Sequence, residues 1–319
     1  MTARKSRVIA LSGGIGGAKL ALGLSRVLAP GDLTVVANTA DDFEHLGLTI
    51  SPDLDTVMYT LAGLDNPNTG WGRRDETWNF MNAMRQLGGE VWFQLGDGDL
   101  ATHIERTRRL RTGESLSAIT TDFCHRLGIM AQILPMSNDR VRTRVRTPDG
   151  VLDFQDYFVG KHCEPTVEGI MFEGAATARA LPEFLSALTR PDLRAVMICP
   201  SNPFISIDPI LALPNVRQAL INCTAPVLAV SPIIGGKAVK GPAAKMMLEM
   251  GLAPSALVTA ERYHDLLDGY VLDHEDAESA QRLDLPTFPA HTLMLSLADR
   301  EALARHVLAS ADSLGRRCL

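Results

Sequence analysis

The sequence predicts an α/β fold: a Rossmann-like, mostly parallel sheet with helices on both faces and an inserted smaller lobe. An apolar strand at 7–11 runs directly into the glycine-rich segment 12–19 and then into a helical pattern over 19–28. A second apolar run at 33–38 follows closely, so the two strands should be parallel and joined by a right-handed crossover. In the second half, apolar runs end in loops of Ser, Gly, Asn and Pro, and such loops form ligand clefts at the carboxyl edge of a parallel sheet.

The remaining elements follow from apolar periodicity and turn residues. Pro52 and the apolar positions after it predict a helix over 53–62, beyond an acidic loop at 39–45. Further helices are predicted over 76–87, 101–110 and 115–127, and strands over 92–95, 132–136, 141–145, 151–158, 195–199, 227–230, 256–258, 270–272 and 292–294. We expect one Rossmann-like domain from residues 1–100 and 190–319, interrupted by an α+β lobe at 101–189.

Composition and charge exclude several functional classes. The chain has 319 residues, a net charge of −6 and 21% charged residues, so it lacks the basic character of a nucleic-acid-binding protein. Its apolar runs are far shorter than the about 20 residues that cross a bilayer, and no signal-peptide pattern precedes the first strand. The 5 cysteines are odd in number and include no Cys-x-x-Cys pair, which argues against a disulfide scaffold or a structural zinc site. We therefore expect a cytoplasmic protein that binds neither nucleic acid nor membrane.

The glycine-rich segment is the first candidate binding site. Gly13, Gly14, Gly16 and Gly17 lie between a strand and a helix, where backbone N–H groups and the helix dipole attract phosphate. Lys19 would add a full positive charge. The spacing matches neither the dinucleotide fingerprint nor the P-loop, and the alternative is a tight turn without a ligand.

Aspartates follow the second predicted strand and begin the next helix. Asp42 and Asp55 are our candidates for holding Mg²⁺ on a diphosphate, because hard cations prefer carboxylate oxygens. Asp41 is a neighbouring candidate. For Asp53 we favour the simpler role of capping its own helix.

Other candidate residues lie in turn-rich loops. Asp97, between two glycines, is a candidate catalytic base, whereas Asp99 is expected to cap a helix and His103 is not assigned a catalytic role. Trp71 and Arg74 lie in a loop that would either stack on a flat heterocycle or simply anchor itself to the core. Two strand-end loops suit a second phosphate or a nucleotide base, through Ser201, Asn202, Ser231 and Gly235.

Several segments, taken in order, resemble the 2-phospho-L-lactate transferase family (CofD, called FbiA in actinobacteria). They extend from residue 12 to about residue 245, and no one of them is specific alone. The segments are SGGIGGAKL, VVANTADD, SPDLDTVMYTLAG, GWGRRDETW, LGDGDLATH, ILPMSND, FQDYFVG, PSNPFISIDPIL and VSPIIGGKAVKGPA.

The resemblance implies an activity and its cofactor. Such enzymes join a phospho-acid, activated as a guanosine diphosphate conjugate, to the deazaflavin 7,8-didemethyl-8-hydroxy-5-deazariboflavin (Fo). GMP is released, Mg²⁺ is required, and the product is a precursor of coenzyme F(420). The acid is 2-phospholactyl, phosphoenolpyruvyl or 3-phosphoglyceryl, and the resemblance also implies a homodimer.

The resemblance also implies residue roles. Asp55 would serve at both the metal and the deazaflavin, and Asp42 at the metal. Residues 13–17 would face the diphosphate, and the loops of Ser201 and Ser231 would hold the guanosine end. Trp71, Arg74 and Gln94 would contact the deazaflavin. Relatives usually have Gly-Asp-Arg-Asp at 96–99 and some have a basic residue at 94, so Gly98 and Gln94 leave the donor acid open.

The expected reaction is an in-line attack by the terminal ribityl hydroxyl of Fo on the phosphorus nearer the acid, with Asp55 or Asp97 as the base. Two alternatives remain open. An NAD(P)-dependent oxidoreductase would use Asp41 to bind ribose. A nucleotide-sensing CofD-like regulatory protein would have the fold without the transfer activity.

Overall fold

The computed structural model describes residues 5–314, and in this range the chain forms alternating strands and helices. The strands are β1 (Arg7–Ser12), β2 (Leu33–Ala37), β3 (Phe43–His45), β4 (Leu48–Ile50), β5 (Gln132–Pro135), β6 (Arg142–Thr147), β7 (Gly150–Asp153), β8 (Gly169–Glu173), β9 (Leu193–Ile198), β10 (Val227–Val230), β11 (Ile233–Ile234), β12 (Lys237–Ala238), β13 (Gly269–Asp273) and β14 (Thr287–Ala290). The α-helices are α1 (Gly14–Val27), α2 (Pro52–Leu61), α3 (Asn79–Gln86), α4 (Asp97–Arg111), α5 (Leu116–Arg126), α6 (Pro182–Leu188), α7 (Asp208–Leu211), α8 (Val216–Ile221), α9 (Ala243–Glu249), α10 (Ala256–Arg262), α11 (Ala277–Ala280) and α12 (Leu297–Leu314).

A seven-stranded parallel sheet forms the centre, in the order β14-β13-β10-β9-β1-β2-β5. β1 lies inside the sheet, with β2 on one side and β9 on the other, so its carboxyl end lies beside those of both neighbours. The two strands first inferred from the sequence are therefore adjacent and parallel, as expected for a right-handed crossover through α1.

Both faces of this sheet are covered, because neighbouring residues of β1 point in opposite directions. Ile9 and Leu11 belong to one hydrophobic core, which includes buried residues of α6, α8 and α10. Val8 and Ala10 belong to a second core, which includes α1, α2 and α12. The predicted α/β fold class, with helices on both faces, is confirmed.

Several predicted elements are wrong. Residues 256–258 begin helix α10 instead of forming a strand, because the Ser255 hydroxyl caps that helix by accepting from the Val258 N–H. Residues 92–95 and 292–294 form no strand, and the last strand of the sheet is β14. The predicted strand 151–158 ends at Asp153, after which residues 156–160 form a π-helical turn.

The lobe predicted at 101–189 is not a separate insertion, because β5 lies within that range and pairs with β2 at the edge of the main sheet. The β5 residues Ile133 and Leu134 are buried on opposite faces of the main sheet. The other strands of this range, β6, β7 and β8, form a separate antiparallel sheet in the order β7-β6-β8, within residues 142–173.

Two further observations concern composition. No helix within residues 5–314 combines the length and the apolar character needed to cross a membrane. Cys124, Cys163, Cys199 and Cys223 form no disulfide, and Cys318 lies outside the described residues.

Candidate active site

A cleft of about 490 Å³ opens at the carboxyl edge of the main sheet. Its walls include residues that follow successive strands, among them Asp41 after β2, Ser201 after β9 and Ser231 after β10. Ligands of open parallel sheets bind at this edge. The cleft is lined by many residues proposed from the sequence: Gly13, Gly14, Gly16, Lys19, Asp55, Trp71, Gln94, Ser201, Asn202 and Ser231.

The glycine loop is packed against other protein groups. The Gly13 N–H donates to the Ser201 hydroxyl oxygen at 3.1 Å, and that hydroxyl donates back to the Gly13 carbonyl at 2.7 Å. Gly14, at φ +59, faces the same carboxylate as its neighbour: a Cβ on Gly14 would lie 3.3 Å from Asp53. A Cβ on Gly16 would overlap the Pro200 carbonyl oxygen. The expectation that Gly13 offers its N–H group to a diphosphate is corrected, because that group already donates to Ser201.

Three other predicted contacts do not line the cleft. A Cβ on Gly17 would overlap the hydroxyls of Ser201 and Ser12, so this glycine permits close packing. The Arg74 guanidinium donates to the Gly63 carbonyl. The Gly235 N–H, in the turn between β11 and β12, donates to Asp276 at 3.1 Å.

Asp53 and Asp41 form a buried carboxylate pair in the cleft wall. The Asn38 side-chain amide donates to both, at 3.0 Å to Asp53 and 3.2 Å to Asp41. Asp53 also accepts from the Ser206 hydroxyl at 3.1 Å. Burial raises the pKa of Asp53 to about 6, and burial together with the Asp53 charge raises the pKa of Asp41 well above its ordinary value. Asp53 thus faces the glycine loop instead of merely capping α2.

Asp42 does not line the cleft, although Asp55, its proposed partner in holding the metal, does. Its carboxylate accepts from the Ser51 hydroxyl at 2.8 Å and is buried. Burial raises the pKa of Asp42 to about 7, although the positive charge of Arg142 opposes the shift. Its hydrogen bond with Ser51 therefore connects the loop after β2 to the start of α2, outside the lining of the cleft.

Asp55 is held by a buried arginine that the sequence did not indicate. Arg106, on α4, donates to both Asp55 carboxylate oxygens, and a nearby chain of polar groups continues through His103 and Asp99 to Tyr59. The His103 ring lies 3.2 Å from Asp99, which also accepts from the Tyr59 hydroxyl at 2.7 Å. Burial opposes ionisation of Asp99, but the nearby His103 ring and the hydrogen bond from the Tyr59 hydroxyl lower its pKa.

Asp55, Asp99 and His103 also have the geometry of a metal site. Their ligand atoms all lie within 4.8 Å of one another, and no other group of this kind occurs among residues 5–314. Arg106 already neutralises Asp55, however, and an imidazole is not a preferred ligand of Mg²⁺. By contrast, the hydrogen bonds that residues 5–314 donate to the Asp41 and Asp53 side chains come from neutral groups.

Asp97 does not line the cleft, although the sequence suggested it as a base. Its carboxylate accepts from the backbone N–H groups of Asn79 and Phe80, at 3.1 and 3.0 Å, and so satisfies the first turn of α3. Hydrogen bonding from the Thr77 hydroxyl and these N–H groups lowers the pKa of Asp97 to about 2. Asp97 therefore caps α3, and its weak affinity for a proton does not suit a catalytic base.

Aromatic residues missed in the sequence complete the cleft. Trp92 and Phe93 line one part and belong to a cluster of tilted rings with Phe43. Phe154 and Phe158 line another part and stack on each other, with ring centroids 5.4 Å apart and an angle of 12°. Phe154 and Phe158 are four residues apart, a spacing that places two side chains on one face of a helix, and this spacing could have been noticed in the sequence. Flat apolar surfaces of this kind suit an aromatic heterocycle.

The family profile described as "2-phospho-L-lactate transferase CofD" matches residues 8–305. The chain belongs to this family. As a CofD protein it is a phosphotransferase of coenzyme F(420) biosynthesis, and the predicted resemblance is confirmed. The oxidoreductase and non-catalytic alternatives lose their support.

Curated CofD relatives carry two different names. A "Phosphoenolpyruvate transferase" of Kitasatospora aureofaciens is 41% identical, over 97% of this chain and 98% of the relative. A "2-phospho-L-lactate transferase" of Methanosarcina acetivorans is 42% identical, over 96% of this chain and 100% of the relative. Among solved structures, a UPF0052-family protein of Bacillus halodurans matches with a TM-score of 0.62 and 15% identity, covering 96% of this chain and 99% of that one; this likeness concerns the fold alone.

Proposed function

We propose that this CofD protein transfers a phospho-acid from its guanosine diphosphate conjugate to the terminal ribityl hydroxyl of Fo and releases GMP. The observation that carries the proposal is a single cleft that joins aromatic walls to a group of buried carboxylates at the carboxyl edge of the sheet. The aromatic walls suit the flat tricyclic ring of Fo. The buried carboxylates suit a cation that accompanies the diphosphate of the donor.

The deazaflavin ring would lie against the aromatic part of the cleft. Phe154, Phe158 and Trp92 form its lining there, and Trp71 lies on a loop at the same cleft with 48% of its surface exposed. A half-exposed tryptophan at the cleft would bury apolar area when the ring binds, which favours binding. Gln94 lines the same cleft, and its side-chain amide donates to the Val91 carbonyl at 2.6 Å.

The ribityl hydroxyl would donate a hydrogen bond to Asp55, whose orientation is fixed by Arg106. In the transfer, the hydroxyl oxygen forms a bond to the phosphorus nearer the acid. The bond from that phosphorus to the bridging oxygen breaks, and the oxygen leaves with GMP. The hydroxyl proton passes to Asp55 and then to water. Fixed orientation and electrostatics are the main requirements of such reactions.

Mg²⁺ would bind to Asp41 and Asp53. Both carboxylates are buried, share one amide donor and repel each other, so a bound cation would relieve an unfavourable pair of charges. When bound, the ion would neutralise negative charge on the diphosphate. Calorimetric titration of Mg²⁺ should give weaker binding to Asp41→Asn than to Asp97→Asn, because Asp97 lies outside the cleft. Equal affinities in these two variants would remove Asp41 from the site.

The two relatives do not identify the donor acid of this chain. They are almost equally similar to it, and they are named after different acids. We keep 2-phospholactyl, phosphoenolpyruvyl and 3-phosphoglyceryl as candidates. A cytoplasmic homodimer is also part of the proposal, and light scattering of the purified protein measures its assembly.

Fluorescence of Fo provides the test of the acceptor. Titration of Fo with the protein should give saturable binding, and GDP with Mg²⁺ should alter that affinity because both ligands share one cleft. A protein that leaves Fo fluorescence unchanged at high concentration, with and without GDP and Mg²⁺, would overturn the proposed acceptor.

A further inference from the structure

A lysine and a glutamate of α9 hold the connection between β7 and β8, which carries one aromatic wall of the cleft. Lys245 and Glu249 lie one helical turn apart and form an ion pair, with the ammonium nitrogen 2.6 Å from a carboxylate oxygen. We call these two residues the α9 clasp. Neither of them lines the cleft. An ion pair at the protein surface contributes little stability by itself, so the other contacts of the pair indicate what it does.

Both members of the α9 clasp bind the same stretch of chain. The Lys245 ammonium donates to the Pro165 carbonyl at 3.1 Å and to the Tyr157 hydroxyl oxygen at 3.4 Å. The Glu249 carboxylate accepts from the Val167 N–H at 3.0 Å. Hydrogen bonds with a charged partner are stronger than those between neutral groups. The clasp therefore fastens the β7–β8 connection to α9 at three points.

The backbone of this connection needs such support. After the π-helical turn at 156–160, His162 and Cys163 adopt positive φ angles of +49° and +59°. Residues other than glycine rarely adopt this conformation, and it persists where the surrounding structure holds it in place. The Lys245 contacts lie on either side of these two residues, at Tyr157 and Pro165.

The held stretch supplies part of the cleft lining. Three residues between the two Lys245 contacts line the cleft, and they are Phe158, Val159 and His162. Tyr157, directly before Phe158, is fully buried and shares a hydrophobic core with Met246 of α9. Because neighbouring residues move together, the position of the Phe158 ring depends on side chains of α9 that do not line the cleft.

We infer that Lys245 and Glu249 are positioning residues for the acceptor, which hold the β7–β8 connection in the conformation that directs Phe158 into the cleft. The inference deepens the proposed function and rests on it, because the ring of Fo is the proposed occupant of this aromatic wall. Neither residue of the α9 clasp contacts the ligand. Without the clasp the left-handed residues relax and the wall shifts, which lowers affinity for the acceptor and leaves the buried carboxylates of the cleft in place.

Lys245→Met provides the first test. It should weaken Fo binding in fluorescence titration by about fivefold, the scale of one aromatic contact, and leave GDP affinity in calorimetry unchanged. The KM for Fo should rise by the same factor, while kcat at saturating Fo stays within about twofold. Lys237→Met is the matched control, because Lys237 is an exposed lysine of β12 that does not line the cleft. It should behave like the unaltered protein.

Two variants of the glutamate make the second test. Glu249→Gln should retain most of the Fo affinity, because the amide oxygen can still accept from the Val167 N–H. Glu249→Met has a side chain of similar length without that acceptor, and it should weaken Fo binding as much as Lys245→Met does. The difference between the two variants reports on the hydrogen bond itself.

Equal Fo affinities in Lys245→Met and Lys237→Met would overturn the inference while leaving the proposed acceptor intact. A lower kcat with an unchanged KM for Fo would also overturn it, because that result indicates a smaller folded fraction instead of a displaced wall. If the unaltered protein leaves Fo fluorescence unchanged, the proposed acceptor fails and the inference fails with it.

Discussion

Arg106 donates hydrogen bonds to both carboxylate oxygens of Asp55, and the two side chains are only 1% and 6% exposed. The pair connects α4 to the first turn of α2 and fixes the direction of a carboxylate in the cleft. A buried ion pair of this kind contributes little net stability, but removal of one partner leaves an uncompensated buried charge.

We predict that Arg106→Met lowers the free energy of unfolding by about 3–5 kcal/mol, because Asp55 then remains charged without a partner. The double variant Arg106→Met, Asp55→Asn should recover part of that loss. Urea denaturation of the three proteins measures both values. A double variant as unstable as the sum of the single variants would show that the two residues do not interact energetically.

Asp55→Asn and Asp97→Asn make the same chemical change at two aspartates with different surroundings. Asp55→Asn should lower kcat by more than about 100-fold, the scale of losing an electrostatic contact to reacting groups. Asp97→Asn should retain kcat within about twofold of the unaltered protein, because that carboxylate caps α3 outside the cleft. Steady-state assays on both folded variants provide the comparison, and a large loss in Asp97→Asn would return it to the catalytic site.

Trp71 and Trp78 are both exposed tryptophans near one loop, and only Trp71 lines the cleft. Trp71→Ala should weaken Fo binding by about fivefold, the effect expected from loss of one aromatic contact. Trp78→Ala should change the affinity by less than about twofold. Fluorescence titration of Fo measures both, and equal affinities would exclude Trp71 from the acceptor site.

Gly16→Ala should lower the free energy of unfolding by about 1–3 kcal/mol, because the added methyl group would overlap the Pro200 carbonyl and force the backbone apart. Gly160→Ala is the control, since its Cβ would meet only Trp92, at 3.9 Å. Thermal unfolding should separate the two variants by several degrees. Unchanged stability of Gly16→Ala would mean that the loop does not need this close approach.

Local patterns in the sequence predicted most of the central sheet. The run at 7–11 is apolar at every position but the first, and it is flanked by a glycine turn and a helical pattern, so β1, α1 and β2 follow from neighbouring residues alone. Residues 256–258 were predicted as a strand, but they begin helix α10. A short apolar run is too short to show whether its periodicity is helical or extended, and here the Ser255 cap is the feature that indicates a helix. The position of β5 in the main sheet depends on pairing with β2, which is a long-range contact.

The site was predicted less completely, for the same reason. Asp55, Trp71 and Ser201 line the cleft, as expected from turn residues that mark the edge of a parallel sheet, and their roles stay predictions. Arg106 was missed because it lies within a helix among other arginines, and its partner is distant in sequence. Asp97 was misassigned because a carboxylate between glycines suits both a cap and a base, and only the N–H groups of α3 decide between them.

The most direct measurement is the mass spectrum of the product formed from Fo and each guanosine diphosphate conjugate, with Mg²⁺ present. We predict a species heavier than Fo by one phospho-acid group, formed together with an equal amount of GMP. Release of GDP instead of GMP, or Fo recovered unchanged with all three donors, would contradict it.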